Sequence, residues 1–219
     1  MTTSWTLPTQ TIIQDAYEQL NVIGAGEIIS PEDNELAYRT FQNILKEMPI
    51  HGFVWNKITS VPVALTWSGG APNQVTMPVD YFGVPSIYFV QNSQNVYLTI
   101  LTKEQYEEIK QPTATALYPQ SIYISPSNVG YLYPVPTADP SLKITYQAIA
   151  SDAGLLTTPD IKQHFIGGFG TWLAYELMPK FQGISDYVRN EIKERYAIKK
   201  KMMLEYSTET APIRFSVSD

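Results

Sequence analysis

The sequence predicts an α+β protein: helices from both chain ends form one bundle, and an antiparallel β domain is inserted between them. Three observations lead there. Apolar residues recur at helical spacing before residue 50 and again after residue 152. Between these stretches they alternate in short runs broken by proline, glycine and asparagine turns. Neither terminal set can bury its stripe alone, so the two should meet. The divisions that follow are a helical hairpin over residues 1–50, a β domain with one short helix over 51–151, C-terminal helices over 152–206 and an extended tail over 207–219.

The first eight residues, MTTSWTLP, read as a loose arm that Trp5 can anchor. A first helix follows, with Ile12, Ile13, Ala16, Tyr17 and Leu20 on one face. Thr9 is its expected N-cap, and Gly24 the left-handed residue that ends it. The second helix opens at Ser30-Pro31-Glu32-Asp33. Serine caps, proline takes the first position, where no N–H is needed, and two acids meet the positive end of the dipole. Its stripe runs Leu36, Ala37, Phe41, Ile44, Leu45, Met48 before Pro49 stops it, a rod of roughly 27 Å.

The β region begins with Val61, Val63, Leu65 and Trp67, followed by a turn at Ser68-Gly69-Gly70-Ala71-Pro72-Asn73. Further strands are predicted over 74–77, 85–91, 95–101, 120–124, 130–134 and 142–148, with a hairpin turn at Asn92-Ser93-Gln94. This spacing suits a sandwich or small barrel. Pro62, Pro78, Pro85, Pro134 and Pro136 belong at edges or strand ends, since proline cannot donate to a ladder. Thr102 to Ile109 reads as a short helix whose capping box is Thr102 with Gln105.

From Asp152 the helical period returns. Thr158-Pro159-Asp160 repeats the cap-plus-proline opening; Ile161, Phe165, Phe169, Trp172, Leu173 and Leu177 follow, and Pro179 ends or kinks the helix. Gly167, Gly168 and Gly170 each weaken it by about 1 kcal/mol relative to alanine, which suggests that another backbone approaches there. A final helix runs from near Ser185 to about Tyr206. The best candidates for the bundle core are Phe41, Leu45, Phe165, Phe169 and Trp172, each contributing roughly 1.5–3 kcal/mol by burial. In the tail, Ile213, Phe215 and Val217 alternate, which fits a strand or an extended segment lying on a partner, and fits a disordered terminus as well.

At 219 residues the chain is one large domain or two small ones. It has 44% hydrophobic residues, only 16% charged residues, and 15 Tyr, 8 Phe and 4 Trp. Low charge with many aromatics fits a chain that hides surface against other chains, and equally a tyrosine-rich β domain. There is no cysteine, hence neither disulfide nor thiolate metal site, and two histidines leave little for a metal cluster. No cofactor is expected. No apolar run reaches membrane-spanning length and the N-terminus lacks a signal-peptide pattern, so a soluble protein made in a cytoplasm is expected. A net charge of -6 argues against a general nucleic-acid binder, but not against a protein that DNA passes through without sticking.

Gly24-Ala25-Gly26 follows a helix rather than a strand and lacks a third glycine, which argues against a dinucleotide loop. His51 and His164 read as ordinary surface or interface residues. The acids Glu104/Glu107/Glu108 and Glu32/Asp33/Glu35 read as first-turn residues of helices, where the dipole accounts for them better than acid–base catalysis. No enzyme is predicted. The last helix carries a candidate basic face: Arg189, Lys193, Lys199, Lys200 and Lys201, with Arg195 beside them. In a channel it would meet phosphates, outward it would meet an acidic partner, and otherwise it is a solvated face with pairs such as Glu191–Arg195.

Several segments resemble, in order and spacing, the head-to-tail adaptor proteins of short-tailed phages, the packaged-DNA stabilisation or connector proteins that sit under the portal. They are Val22-Ile23-Gly24-Ala25-Gly26-Glu27 with Ser30-Pro31-Glu32-Asp33; Leu98-Thr99-Ile100-Leu101-Thr102-Lys103-Glu104-Gln105-Tyr106; Gly130-Tyr131-Leu132-Tyr133-Pro134-Val135-Pro136; and Leu173-Ala174-Tyr175-Glu176-Leu177-Met178-Pro179-Lys180-Phe181. The resemblance implies a structural virion protein of the neck, assembled in the host cytoplasm. It implies a cyclic ring, a dodecamer, that docks under the portal, meets tail or nozzle proteins below, extends the DNA channel and helps retain packaged DNA. It further implies that the C-terminal tail, here Ile213, Arg214, Phe215 and Val217, reaches the portal. Two other functions stand beside it: a tail-associated receptor- or glycan-binding protein using exposed tyrosines, and, less supported, a peptidoglycan hydrolase.

Overall fold

The computed structural model describes residues 6–53, 58–61, 73–109, 111, 113–139 and 141–207. The chain is α+β, with helices at both ends and a strand-rich region between. It divides into two compact units, residues 1–56 with 150–219 and residues 57–149.

The helical unit contains α1 (Thr9–Gln19), α2 (Pro31–Glu47), α4 (Ile166–Leu177) and α5 (Asp186–Ser207). One core joins all four: Ile12, Ile13, Tyr17 and Leu20 from α1 and its end, Phe41, Ile44, Leu45 and Met48 from α2 and its end, Phe169, Trp172, Leu173 and Leu177 from α4, and Val188, Ile192 and Met203 from α5. Helix α4 is its hub. Of its residues only Gly167, Tyr175 and Glu176 escape full burial, because α1, α2 and α5 all pack on it. A helix apolar on nearly every side is stable only when neighbours cover every side.

Ser30 caps α2 as predicted, its hydroxyl accepting from the Asp33 N–H at 3.1 Å, with Pro31 in the first turn. Helix α1 departs from prediction. Thr9 does not cap it; Pro8 holds that place without a side-chain hydrogen bond. Thr9 is the first helical residue and fully buried, and both its N–H (3.1 Å) and its hydroxyl (3.2 Å) donate to the Thr157 carbonyl, while the Gln10 N–H donates to Leu155 O at 2.9 Å. The free donors of the helix start are thus satisfied by a returning segment rather than by a cap.

That same contact corrects the predicted helix start at Thr158-Pro159-Asp160. Residues 153–157 supply acceptors for α1. They are also clamped by α2, since Tyr38 Oη (2.8 Å) and Gln42 Nε2 both donate to Ala153 O. Winding this segment into a helix would withdraw those carbonyls. Helical structure begins only at a 3-10 turn, Gln163–Phe165, that leads into α4. Pro179 follows the end of α4 in a second 3-10 turn, Met178–Lys180, as its missing N–H requires.

Gly24 is not the left-handed terminator of α1. Asn21 is, with φ 53°. The Asn21 N–H bonds Glu18 O and the Val22 N–H bonds Tyr17 O, the paired closure of a Schellman end. Asparagine tolerates this conformation, so no glycine was needed. The α4 glycines also act differently from expectation. A Cβ on Gly168 would lie 2.6 Å from Met203 Sδ of α5, so the close neighbour is a side chain rather than a backbone. Gly170 faces Gln19, Asp15 and Ile12 of α1 at 3.5–4.0 Å, and Gly167 faces open space.

The β unit is a sandwich of two four-stranded sheets. The first has the order β1 (Ile58–Val61), β10 (Lys143–Ala148), β3 (Tyr81–Gln91), β4 (Gln94–Tyr97) and is antiparallel throughout. The second has the order β2 (Gln74–Thr76), β8 (Val129–Tyr133), β7 (Ser121–Ile124), β5 (Thr99–Leu101). Its β5–β7 pair is parallel, as is the small β6 (Thr115–Ala116) and β9 (Val135–Pro136) pair, so the region is antiparallel-rich rather than wholly antiparallel. The predicted strand over 95–101 is two strands in different sheets, β4 and β5, that meet at buried Leu98. Asn92 and Ser93 form the β3–β4 hairpin turn with φ 50° and 63°, the left-handed pair such a turn requires. Pro85 lies inside β3, not at its end. There β4 no longer pairs and the register with β10 shifts between Thr145 and Gln147, so the ladder loses no donor. The inner faces share a core of Val75, Ile87, Phe89, Leu98, Ile122, Leu132, Ile144 and Tyr146. The capping box of α3 (Lys103–Glu107) forms as predicted, Thr102 Oγ1 accepting from Gln105 N and Gln105 Oε1 from Thr102 N.

Candidate functional site

The expected core residues Phe41, Leu45, Phe165, Phe169 and Trp172 all lie buried in the helical unit. Phe169 is the meeting point: its ring centroid is 6.2 Å from Phe41 and 5.8 Å from Trp172. The ring centroid of His51 lies 5.2 Å from that of Trp172, edge to face, and that of His164 lies 4.2 Å from Phe165 and 5.7 Å from Tyr206, both histidines exposed at the rim of this aromatic cluster.

The five cations on α5 do not gather into one stripe. Lys199 and Lys201 are two residues apart, so they point about 200° apart around the helix. Arg189 is turned inward, its Nε donating to Ile184 O at 3.1 Å and its Nη2 to Phe181 O at 3.2 Å, which fastens the α4–α5 connection. Lys200 folds over Trp172 and Tyr196, with Nζ 5.8 and 5.4 Å from the ring centroids, and donates to Tyr196 Oη. Lys201 lies 4.0 Å from Glu205. Lys193 and Lys199 are exposed. Arg195 pairs with Glu191 at the predicted i,i+4 spacing. The tail residues Ile213, Arg214, Phe215 and Val217 lie outside the described residues, as do Trp5, Trp55 and Trp67.

Sequence reasoning did not single out the outer side of α5. Val188, Ile192 and Met203 face the core, with Tyr196 packed against it. Beside these, Tyr187, Ile198 and Tyr206 are 75%, 60% and 70% exposed, and Met202 joins them. Ile198, Met202 and Tyr206 recur every four residues, a signal the sequence carried. The unit therefore leaves an apolar stripe along α5 uncovered.

A second surface lies at the α1–α2 turn, in a notch of about 320 Å³ that includes Glu18, Glu27, Ile28 and Asn34. Glu18 and Glu27 give it two carboxylates. Gln14 spends its amide on Glu18 Oε1 (3.2 Å) and Glu27 O (2.9 Å), and Asn34 Oδ1 is buried without a hydrogen-bond partner. Ile28 is 92% exposed. Nearby Asp15 has a carboxyl pKa raised by burial and by the Glu18 charge.

In the β unit, Tyr106, Tyr123 and Tyr131 stack at 5.4–6.0 Å where α3 covers the second sheet. The acids weighed earlier are spent locally: Glu107 lies 3.6 Å from Lys103, Glu35 3.8 Å from Arg39, and Asp33 accepts from Ser30 Oγ. Among the described residues no group of three or more His, Asp or Glu side chains is placed to hold a metal, and no helix is long and apolar enough to cross a membrane.

These features define a structural subunit whose unexplained residues lie on exposed helix and turn surfaces. The family model for the SU10 adaptor protein matches residues 3–197, and the chain belongs to that family of phage adaptor proteins. It is a virion component that associates with other phage structural proteins such as portal and tail, in a family that is structural rather than enzymatic. No curated protein gave a match.

Proposed function

We propose that the chain forms the head-to-tail adaptor ring of a phage neck. Copies assemble in the host cytoplasm into a cyclic ring, a dodecamer, which docks beneath the portal, receives tail or nozzle proteins below, extends the DNA channel and helps retain packaged DNA. The family match over residues 3–197 carries this reading. The uncovered apolar side of α5 supports the ring, since a lone subunit gains nothing by exposing it. A net charge of -6 fits a channel through which DNA slides without sequence-specific contacts. The C-terminal segment with Ile213, Arg214, Phe215 and Val217 is the proposed portal contact, and the exposed Lys193 and Lys199 are available to a neighbour or to DNA phosphates.

Electron microscopy of the protein mixed with its portal tests the proposal. The expected result is a ring of this chain stacked on the portal. Deleting residues 208–219 should abolish stacking while the helical unit still folds. A protein that never stacks on the portal would overturn the reading. A glycan-array signal without portal binding would favour the receptor-binding alternative, for which the Tyr106–Tyr123–Tyr131 cluster is the candidate platform.

A further inference from the structure

We propose that neighbouring copies join head to tail, the exposed apolar stripe of α5 on one copy seating against the notch at the α1–α2 turn of the next. This rests on the ring reading and names the surfaces that would build the ring.

The geometry of α4 supplies the first argument. Gly168 faces Met203 of α5, and Gly170 faces Gln19, Asp15 and Ile12 of α1. Two residues apart on a helix is about 200° of rotation, so α5 and α1 flank α4 on opposite sides. A contact between these two surfaces of different copies is heterologous, and a heterologous contact that repeats builds a ring where its rotation closes, never a two-fold dimer.

Charge is the second argument. Residues 9–47 carry seven acids and two bases, whereas residues 186–207 carry four acids and six bases. Opposite potentials on opposite flanks steer copies into one orientation and oppose two like flanks meeting.

The two surfaces also complement each other in content. The notch offers the carboxylates of Glu18 and Glu27 and the exposed apolar side chain of Ile28. Such a notch calls for a donor beside an apolar surface. The exposed stripe of α5 presents this pairing: Lys199, which has no ion-pair partner among the described residues, next to Ile198, Met202 and Tyr206.

The chain has no cysteine, which permits a clean cross-linking test. Ile28→Cys and Met202→Cys replace exposed side chains, so both variants should fold. Under mild oxidation at high protein concentration, the mixture of the two variants should give a disulfide-linked dimer at least about tenfold faster than either variant alone, and the double variant should give a ladder of closed oligomers. Lys199→Glu added to the Met202→Cys copy should remove that advantage, and Glu18→Lys on the Ile28→Cys copy should restore it. Dimerisation of Met202→Cys alone as fast as the mixture would mean that α5 meets α5, and would overturn the proposal. So would a mixture that does not cross-link. If wild-type rings are still seen by electron microscopy in those cases, only this contact fails. If they are absent from assembled necks as well, the ring reading itself fails.

Discussion

Gly168 of α4 and Met203 of α5 approach so closely that a single added methyl group would lie 2.6 Å from the methionine sulfur. The contact sits in the core, with Met203 only 2% exposed, so the sulfur has little room to move aside. It fixes how deeply α5 settles on the hub helix, and hence which of its sides is left for other molecules.

Gly168→Ala should therefore destabilise the helical unit by about 1–3 kcal/mol from overpacking, despite alanine's better helix propensity. Gly167→Ala, which meets nothing within 4 Å, should instead stabilise by up to about 1 kcal/mol. Denaturant midpoints of the two variants should move in opposite directions. Equal shifts would mean that Met203 does not hold α5 in place.

Trp172 and Phe169 anchor the aromatic cluster, both essentially inaccessible. Trp172→Ala should cost about 3–5 kcal/mol, whereas Trp172→Phe, which keeps most of the volume, should cost markedly less. Thermal melts of the pair check this. Trp172→Ala should also release Lys200, whose ammonium lies over the ring.

The Ser30 hydroxyl accepts from the Asp33 N–H and donates to Asp33 Oδ2. Ser30→Ala should cost about 1 kcal/mol, with loss of amide-exchange protection concentrated in the first turn of α2. Thr9→Val, by contrast, should loosen the segment around Thr157 rather than the helix start, because its hydroxyl bridges to that carbonyl.

The legibility of the fold follows from where the determining contacts lie. The apolar stripes of α1 and α2, the Ser30 cap, the Thr102–Gln105 box and the Asn92–Ser93 turn are encoded within a few residues of one another, and a sequence displays them. The start of α4 was misread because its determinant is remote: the turn at Leu155 and Thr157 is held by backbone donors of Thr9 and Gln10, nearly 150 positions earlier. The parallel pairing of β5 with β7 was hidden for the same reason. On α5 the basic residues drew attention by type, whereas the spacing of Ile198, Met202 and Tyr206 was the more informative pattern.

Tyr17 gives a pH handle. Its hydroxyl donates to Asp33 O at 2.7 Å, and its pKa is raised, first by burial and then by the Asp33 charge. A raised folded-state pKa means that the stabilisation is complete below the unfolded value near 10 and is lost as pH rises above it. Tyr17→Phe should cost about 0.5–1.5 kcal/mol at neutral pH, and the difference from wild type should shrink between pH 10 and 12. Urea titrations across that window measure it. A constant gap would show that the tyrosine does not ionise on unfolding there.

The adjoining amides of Leu98 and Thr99 donate to different sheets, one to Ile87 O at 2.8 Å and the other to Gln120 O at 3.0 Å. Two successive peptide units thus stitch both layers of the sandwich together. Neither layer can peel away without tearing a bond in the other, so the strand-rich unit should melt in a single cooperative step, and a tag or insertion placed between these two residues would cost both layers at once.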